Sequence, residues 1–543
     1  MSIHAPGFRD VVSLCSRHLL HLAIAGASLG LGSSALAAGS DGETLKQQVI
    51  AGVESWQKLA QVINDSLFSF AELGYQELDS TQYLTSLLEK NGFTLERNIG
   101  GMPSAWTARW GTGHPVIALG SDFDGLPGLS QKPGVAYYEP IVAGAPGHGE
   151  GHNSGLAATV VAALAVKDVL AREKLPGTLV IWPGVAEEIG GGKPYMIRAG
   201  AFKNVDAVLF SHVGSNLGSS WGQSSSNGTI SVRYDFQGAS AHAGVAPWLG
   251  RSALDAVEIM NVAWNFRREH LRPTQRSHYV ITHGGDQPNV VPAKASVWYQ
   301  IRETDFENTL KNFQIANRIA DAAALATDTQ VSHQVIGTAA PGHFNKALAQ
   351  TLARNSERVG LPTWNDDEQR FAKAVQKLVG SPQNGLAQQQ EALTPPPQRP
   401  GEGGYSDNIG DVSWAVPTAV LGYPANIPGV PFHTPAAAMS MATPIAHKGV
   451  VAGAKVLALT TLDLVRTPEL LVEAKRYFTE VQNKEQKYLP FISDSDQPAV
   501  ELNTEVMARF RPLLKPYHYD PTRYDTYLEQ LGVSFPGLEK PTK

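Results

Sequence analysis

Residues 178–188 have the sequence TLVIWPGVAEE, in which a short apolar run leads through a turn into the carboxylate pair Glu187-Glu188. Similar apolar runs lie at 116–119 and 207–210, and a segment rich in Ala, Val and Leu fills 154–172. Short, continuous apolar runs are typical of parallel strands covered on both faces, and the Ala-rich segment predicts a helix between the first two strands. The predicted fold class is therefore α/β, with a doubly wound sheet whose site lies at the carboxyl ends of the strands.

The pattern changes near Ser225. Two segments, 229–236 and 295–301, alternate polar and apolar residues, as strands with one exposed face do, and each precedes a predicted helix, at 252–270 and 308–326. These elements predict an α+β insert of roughly 110 residues that interrupts the α/β domain. The expected organisation is a first catalytic part at 38–225, the insert at 226–338, a second catalytic part at 339–466 and a C-terminal extension at 467–543.

Three other stretches are recognised by their composition or their boundaries. A helix is predicted to begin at the cap Ser80 and to end at Asn91-Gly92. The Gln-rich and Pro-rich stretch 380–404 predicts a long surface loop. The C-terminal extension is polar, with helical pieces and several prolines, and the sequence assigns it no role.

The composition excludes several classes of protein. Hydrophobic residues make up 43% of the 543 residues, which is enough for a large core and too many for a disordered chain. The 44 basic and 50 acidic residues give a net charge of -6, and no block of like charge is present. Because nucleic-acid surfaces and membrane patches require clustered basic residues, we expect neither nucleic acid nor a membrane among the partners.

The first 37 residues are typical of a secretory signal peptide. Arg9 and Arg17 precede an apolar run at 19–31. The small residues Ala35 and Ala37 then mark a cleavage point between Ala37 and Ala38. The apolar run is too short to act as an anchor across a hydrocarbon core of ~30 Å. We therefore expect a periplasmic or secreted protein without a membrane anchor.

The mature chain would have no cysteine, because Cys15, the only one, lies in the signal peptide. Any metal would then have nitrogen and oxygen ligands. The densest signal of this kind is GHGEGHN at 147–153, in which Glu150 and His152 lie among glycines. By itself this segment is equally well explained as a solvated polar loop. The adjacent carboxylates Glu187 and Glu188 favour the metal site, because two neighbouring carboxylates repel each other unless a cation lies between them.

Two further histidines, His212 and His433, complete the candidate site. Either one alone is more often a hydrogen-bonded core or loop histidine than a ligand. Together with Glu150, His152 and Glu188, and on the expectation that all lie at strand ends of one sheet, they supply five ligands that suit zinc or manganese. Two divalent ions in this set of ligands would keep a charge of about +2, which favours an anionic substrate, and would lower the pKa of a bound water toward ~7.

A series of motifs occurs in one order along the chain: ELGYQE at 72–77, SDFDGLP at 121–127, GHGEGHN at 147–153, AEE at 186–188, His212, GASAHA at 238–243, GRSALDA at 250–256, PNVVP at 288–292, GDVSW at 410–414, His433 and AHKG at 446–449. In these motifs the chain resembles the co-catalytic metallopeptidase family that includes carboxypeptidase G, aminoacylases, auxin-conjugate amidohydrolases and p-aminobenzoyl-glutamate hydrolases. It is most similar to the last of these. The resemblance extends over nearly all of the mature chain, to about Val465.

The resemblance implies a zinc-peptidase-like catalytic domain and a role for each candidate residue. Glu187 would be the general base, and two divalent ions, zinc or manganese, would be held by Glu150, His152, Glu188, His212 and His433. Asp122 or Asp124 would be either a further ligand or the acceptor that orients a histidine, and both roles remain open. The reaction implied is hydrolysis of the amide bond between an acyl or aroyl group and an amino acid with a free carboxylate, such as p-aminobenzoyl-glutamate.

The insert would be the family's lid and dimerisation domain, so a homodimer is expected. His242 would reach the scissile carbonyl, often in the partner subunit's site, and stabilise the developing oxyanion. Asn289 and Arg302 would bind the terminal carboxylate of the substrate, for which a guanidinium fork is well suited. Arg302 could instead serve a structural ion pair, and His242 would otherwise be an ordinary loop histidine.

Two features depart from the family pattern. Glu150 stands where this branch usually has a cysteine, and as a harder ligand it favours manganese or zinc. The signal peptide is the second departure, because close relatives that hydrolyse folate fragments are expected in the cytoplasm.

The alternative functions are a metallodipeptidase or an aminoacylase-like deacylase of the same mechanism and, outside enzymes, an exported solute-binding protein. The Glu187-Glu188 pair argues against the binding protein, because binding alone needs no base beside a metal.

Overall fold

The computed structural model describes residues 29–396 and 404–540, with side chains from Gly42 onward. Residues 1–28 of the predicted signal peptide therefore lie outside the described residues, and residues 29–37 belong to a helix. No helix in the described ranges is long and apolar enough to cross a membrane. The chain divides into two units, residues 1–47 and 48–543, and all of the described strands lie in the second unit.

The helices are α1 (Leu29–Ser55), α2 (Gln57–Phe70), α3 (Leu78–Lys90), α4 (Gly155–Glu173), α5 (Lys193–Arg198), α6 (Ala253–Arg267), α7 (Phe306–Ala326), α8 (Lys346–Val359), α9 (Asp366–Leu378), α10 (Ile409–Ala415), α11 (Pro435–Ala438), α12 (Pro444–Arg466), α13 (Pro468–Tyr477), α14 (Thr504–Leu514) and α15 (Tyr527–Gln530). The strands are β1 (Thr94–Arg97), β2 (Trp106–Thr112), β3 (Val116–Asp122), β4 (Gly177–Gly184), β5 (Ala207–Gly214), β6 (Gly222–Gln223), β7 (Gly228–Gln237), β8 (Arg276–His283), β9 (Lys294–Glu303), β10 (Gln330–Ala339), β11 (His343–Phe344) and β12 (Thr418–Pro424).

The larger sheet has six strands in the order β1-β2-β4-β3-β5-β12. Strands β4, β3, β5 and β12 are parallel neighbours, whereas β1 and β2 are added in antiparallel fashion. Every residue of β3 and β4 is buried, as expected of parallel strands covered on both faces. Helix α4 packs on β3 and β4, α12 packs on β12, and the two helices contact each other. The predicted α/β class is confirmed, with a sheet that is mixed at one edge.

The smaller sheet has four antiparallel strands in the order β10-β7-β9-β8, and helices α6 and α7 pack on it. Its central strands β7 and β9 and both helices follow the sequence prediction. Its edge strands β8 and β10 carried no clear signal, because most residues of β8 and the first half of β10 are exposed on both faces. An edge strand of this kind lacks the alternation of polar and apolar residues that identifies half-buried strands.

Helix α3 begins at Leu78 rather than at the predicted cap Ser80. Its first amides are capped from outside the helix, because the buried Glu72 carboxylate accepts hydrogen bonds from Leu78 N, Asp79 N and Ser80 N at 2.8–3.0 Å. The predicted end at Asn91-Gly92 agrees with the structure. The Glu72 side chain thus caps the helix in place of the predicted cap, Ser80.

The described part of the Gln-rich and Pro-rich stretch has no helix or strand of its own after α9. Thr394 forms an isolated bridge with Ser220, and Asn216 Nδ2 donates to Gln389 O at 2.9 Å. These bonds hold the segment against the residues that follow β5. The predicted surface loop is therefore attached to the edge of the larger sheet at which the candidate site lies.

Candidate metal centre and substrate cavity

Glu187 and Glu188 lie in a single 3-10 turn directly after β4. Ala186, which precedes the pair, has a φ of 52°, a left-handed conformation that alanine rarely adopts. Its N–H donates to Glu77 Oε1 at 2.8 Å, and a Cβ on Gly74 would lie 2.9 Å from Ala186 Cα. The backbone that carries the two carboxylates is therefore held by the neighbouring 72–77 loop.

The other candidate ligands come from different parts of the chain. His212 lies within β5, Glu150 and His152 lie in the long connection between β3 and α4, and His433 lies in the loop before α11. The prediction that all of these residues lie at strand ends was wrong for Glu150, His152 and His433. Long loops fold back over the edge of the sheet and bring them to the strand-borne residues.

The structure brings all five predicted metal ligands together. The potential ligand atoms form two groups, and the atoms within each group lie within 4.8 Å of one another. One group is Asp122, His152 and His212, and the other is Glu150, Glu188 and His433. Glu150 connects the groups, with Oε1 3.3 Å from His212 Nε2 and Oε2 2.6 Å from His433 Nε2. Glu188 does so as well, with Oε1 3.7 Å from His152 Nδ1 and Oε2 3.4 Å from His433 Nε2.

Several polar atoms in this cluster are buried without a hydrogen-bond partner. They are both ring nitrogens of His152, Asp122 Oδ2, Asp124 Oδ1 and Glu188 Oε1. A buried polar group without a partner costs about 1–3 kcal/mol, so such a concentration of them marks ligand positions. Imidazole nitrogens and carboxylate oxygens are a set of donors that suits borderline divalent ions. These residues therefore fit a metal centre.

The charges of the cluster support the same conclusion. Burial raises the pKa of Glu188 to about 8, and burial together with Asp407 and Asp122 raises the pKa of Glu187 well above its ordinary value. Burial opposes ionisation of Glu150 as well, but hydrogen bonds with His212 and His433 hold the pKa of this carboxyl below its usual range. The cluster is thus rich in buried carboxylates whose charge is only partly compensated, and divalent cations would compensate it.

A buried lysine lies beside the cluster. Lys193 Nζ is fully buried and donates to Asp122 Oδ1 at 2.5 Å and to Asn408 Oδ1 at 2.6 Å. The ammonium compensates the charge of Asp122 through one oxygen and leaves Oδ2 facing the cluster without a partner. Sequence reasoning missed this residue, since nothing local to it predicts burial. Its position just after the Glu-Glu turn is the signal that could have identified it.

Asp122 and Asp124 both contact the cluster. Asp122 groups with His152 and His212, whereas Asp124 Oδ1 lies 3.5 Å from His152 Nδ1. Asp124 Oδ2 accepts a hydrogen bond from the Glu188 amide at 3.1 Å. The geometry therefore places Asp122 among the potential ligands, and places Asp124 where it can orient the His152 ring and the Glu188 backbone.

A cavity of about 750 Å³ opens onto the cluster. Its walls include Glu187, Glu188 and His433, and strand β9 contributes Gln300 and Arg302. Arg302 Nη2 donates to Gln300 Oε1 at 2.6 Å, and no carboxylate among the described residues pairs with the guanidinium. Burial lowers the pKa of Arg302, although an arginine remains charged at neutral pH. The cavity thus has a cation that pairs with no described carboxylate, in the same space as the metal cluster.

His242 and Asn289 do not line this cavity in their own chain. Both lie in exposed loops of the smaller sheet, where Ala243 N donates to Asn289 O at 3.0 Å. His242 Nδ1 accepts from Gly244 N and Val245 N at 3.1 Å, which leaves Nε2 free to act as a donor. Of the four residues predicted to act on the substrate, Glu187 and Arg302 reach the cavity within one subunit, and His242 and Asn289 do not.

Comparison with known proteins identifies the family. Residues 224–328 match the peptidase dimerisation domain of the M20 family. One of the subunits of the p-aminobenzoyl-glutamate hydrolase of Escherichia coli (strain K12) is 35% identical over 456 residues, which are 79% of this chain and 93% of that protein. The chain belongs to the M20 peptidase family.

Other M20 relatives agree with this assignment. The Xaa-Arg dipeptidase of Mus musculus is 25% identical over 80% of this chain and 92% of its own length. The crystal structure of the aminobenzoyl-glutamate utilization protein from Klebsiella pneumoniae matches 78% of this chain and 98% of that chain, with a TM-score of 0.52 and 17% identity, and this likeness concerns the fold.

As an M20 protein, the chain is a metal-dependent hydrolase that acts on amide bonds and carries a catalytic domain and a dimerisation domain. The family resemblance carried by the motifs is confirmed. The alternative of a solute-binding protein is excluded by the family. The divalent-metal requirement agrees with the two groups of ligand atoms at the edge of the larger sheet.

Proposed function

We propose that this M20 hydrolase cleaves the amide bond between an acyl or aroyl group and an amino acid with a free carboxylate. An aroyl-glutamate, such as p-aminobenzoyl-glutamate, is the first substrate to test. The observation that carries the proposal is the position of Arg302, whose guanidinium pairs with no carboxylate in the described part of the chain and shares one cavity with the carboxylate pair and the metal cluster. The name of the Escherichia coli relative supports the choice of substrate.

In this proposal, the chain's own residues bind the metal and the substrate and move the proton. Two divalent ions, zinc or manganese, would polarise the scissile carbonyl and acidify water when held by Glu150, His152, Glu188, His212 and His433. Glu187 takes the proton from the attacking water and delivers it to the leaving amine. Arg302 holds the terminal carboxylate of the substrate and so orients the amide toward Glu187.

We also propose a homodimer formed through the insert at 226–338. Close in sequence to His242, the side chains of Val245, Trp248 and Leu249 are each about two-thirds or more exposed, at 67%, 71% and 69%. An apolar surface of this kind is typical of an interface. The second subunit would supply the two residues that are missing from the cavity, His242 to the scissile carbonyl and Asn289 to the substrate carboxylate.

Export from the cytoplasm is part of the same proposal. The basic start, the apolar run at 19–31 and the small residues before Ala38 support a cleaved signal peptide and a periplasmic or secreted enzyme. N-terminal sequencing of the protein recovered from the extracytoplasmic fraction should begin at Ala38. An intact Met1 on protein confined to the cytoplasm would contradict export.

A metallodipeptidase is the second candidate, and one observation favours it. Glu391, from the stretch that follows α9, adds a carboxylate to the cavity wall. Such a group would attract the free amine or a basic side chain of a dipeptide, whereas an N-acyl substrate has no amine there. A higher kcat/KM for dipeptides than for their N-acyl counterparts would favour this candidate.

The experiment that tests the proposal combines metal analysis with a panel of substrates. The mature chain from Ala38 is purified, its bound metal is measured by elemental analysis, and p-aminobenzoyl-glutamate, N-acyl amino acids and dipeptides are assayed with and without chelator. We expect close to two equivalents of zinc or manganese and amide cleavage that chelator abolishes. No metal and no turnover after reconstitution would overturn the proposal.

A further inference from the structure

The C-terminal extension contacts the catalytic part at the ELGYQE loop, residues 72–77. This loop leads from α2 to α3 and lies beside the turn that carries Glu187 and Glu188. The side chains of Glu72, Leu73, Tyr75 and Glu77 are almost completely buried, and Tyr75 has a φ of 67°. A loop in this conformation needs partners that hold it, and the extension supplies several of them.

Arg511, in α14, makes two of these contacts. Its Nη1 donates to Glu72 Oε1 at 2.8 Å, and its Nη2 donates to Gln76 O at 2.8 Å. Asn503, just before α14, donates from Nδ2 to Gly74 O at 3.1 Å. A further bond is donated by the loop to the extension, from Gln76 Nε2 to Val500 O at 3.0 Å. Charge-assisted hydrogen bonds from a guanidinium are among the stronger polar contacts, so Arg511 is the main connection.

The same loop also bonds to the turn that carries Glu187 and Glu188. Glu77 accepts the Ala186 N–H through Oε1, and its Oε2 accepts from Ser104 Oγ at 2.7 Å. The Glu72 carbonyl accepts from Gly125 N at 2.7 Å, directly after Asp124. Arg511 thus bonds to Glu72 and to the Gln76 carbonyl, which directly precedes Glu77, and the Glu77 carboxylate in turn accepts the N–H of Ala186, the residue before Glu187.

We propose that Arg511 is a positioning residue of the active site, which acts through the ELGYQE loop to fix the backbone at Ala186 and so the direction of the Glu187 carboxylate. The inference rests on the proposed function for the role of Glu187. The C-terminal extension then has a function in catalysis as well as in stability. A shift of the general base by a fraction of an ångström is enough to reduce the rate, because proton transfer depends steeply on geometry.

The test compares Arg511→Ala with Arg198→Ala in the full mature chain. Arg198, in α5, is a matched control, because it also joins the extension through two guanidinium bonds, to Ser493 O at 2.7 Å and Asp496 O at 2.8 Å, and neither bond involves the ELGYQE loop. We expect Arg511→Ala to lower kcat by about tenfold with KM and metal content unchanged. We expect Arg198→Ala to leave kcat within about twofold of the parent.

A second readout does not depend on turnover. Hydrogen exchange of the peptide that contains Ala186 should be faster in Arg511→Ala than in the parent, and unchanged in Arg198→Ala. Arg511→Lys, which can keep one of the two bonds, should recover part of both effects. If Arg511→Ala does not fold, Asn503→Gly removes the bond to Gly74 while tolerating the positive φ of 67° at that position, and a smaller change in the same direction is expected.

Equal losses of kcat in Arg511→Ala and Arg198→Ala, or unchanged exchange at Ala186, would overturn the inference and leave the extension a purely stabilising role. Absence of amide cleavage by the parent protein would instead contradict the proposed function. The exchange measurement distinguishes these two failures, since it reports on the Ala186 bond whether or not a substrate is turned over.

Discussion

At the edge of the larger sheet most of the candidate ligands are buried or partly buried, with His433 as the exposed exception, whereas the loops of the smaller sheet expose His242 and Asn289. His152 and Glu188 expose 2% and 5% of their side chains at the edge of the larger sheet. In the loops of the smaller sheet, the exposed His242 lies beside Val245 and Trp248, which expose 67% and 71%. The buried polar atoms fit divalent cations, whereas the exposed histidine with its apolar neighbours is the surface that the proposed dimer would cover.

The largest effect is expected at the larger sheet, from Glu187→Gln. The amide keeps the size of the side chain but cannot take a proton, so kcat should fall by about 10³-fold while metal content stays at the parent value. Steady-state kinetics with elemental analysis checks this prediction. Near-normal turnover by a variant with full metal content would show that another group is the base.

The next largest effect is expected at the smaller sheet, from His242→Ala. Loss of a donor to the developing oxyanion should lower kcat by about 10²-fold, with metal bound as before. Mixing this variant with Glu187→Gln and allowing subunits to exchange should restore about a quarter of the parent activity, because each mixed dimer then has one intact site. If His242 acted within its own subunit, no mixture would recover activity.

Arg302→Ala tests the predicted substrate-binding residue of the smaller sheet that lines the cavity in its own chain. Removal of the guanidinium should lower kcat/KM for substrates with a free carboxylate by about 10- to 100-fold, mainly through KM. Substrates in which that carboxylate is amidated should be much less affected. Equal losses for both substrate sets would refute direct binding of the carboxylate.

The last effect concerns stability and not activity, and it is expected at Asp411, in α10. Asp411 accepts from Ala340 N, directly after β10, and from Tyr488 OH, both at 2.8 Å, and burial raises the pKa of this carboxyl to about 7. The unfolded chain loses this proton near pH 4 and the folded chain near pH 7. The folded protein should therefore lose stability as the pH rises through this window, by an amount on the order of a few kcal/mol.

Asp411→Asn cannot lose that proton and keeps a donor and an acceptor for the same two partners. The Tm of the parent should fall relative to that of the variant between about pH 4 and pH 7, while kcat stays unchanged. Thermal unfolding curves over this range provide the measurement. Parallel Tm profiles for the two proteins would show that Asp411 is ionised in the folded state throughout.

Local pattern was sufficient for much of the fold. The apolar runs before Asp122, Glu187 and His212 are strands of one sheet, as predicted, because a continuous apolar run of this length is buried on both faces. The edge strands β8 and β10 and the start of α3 were not predicted correctly. The strands have little apolar alternation, and the cap of α3 is supplied by Glu72 from outside the helix.

By itself, the sequence determined the chemistry of this protein: the residue types that can hold divalent ions, the carboxylate beside them and the motifs of the family. These are properties of individual side chains and short segments. Only the tertiary structure decided which of them meet. Glu150 and His433 lie 2.6 Å apart although 283 residues separate them, and Arg511 reaches Glu72 across 439 residues. Contacts at such separations depend on how all the intervening elements pack, and no local pattern records that packing.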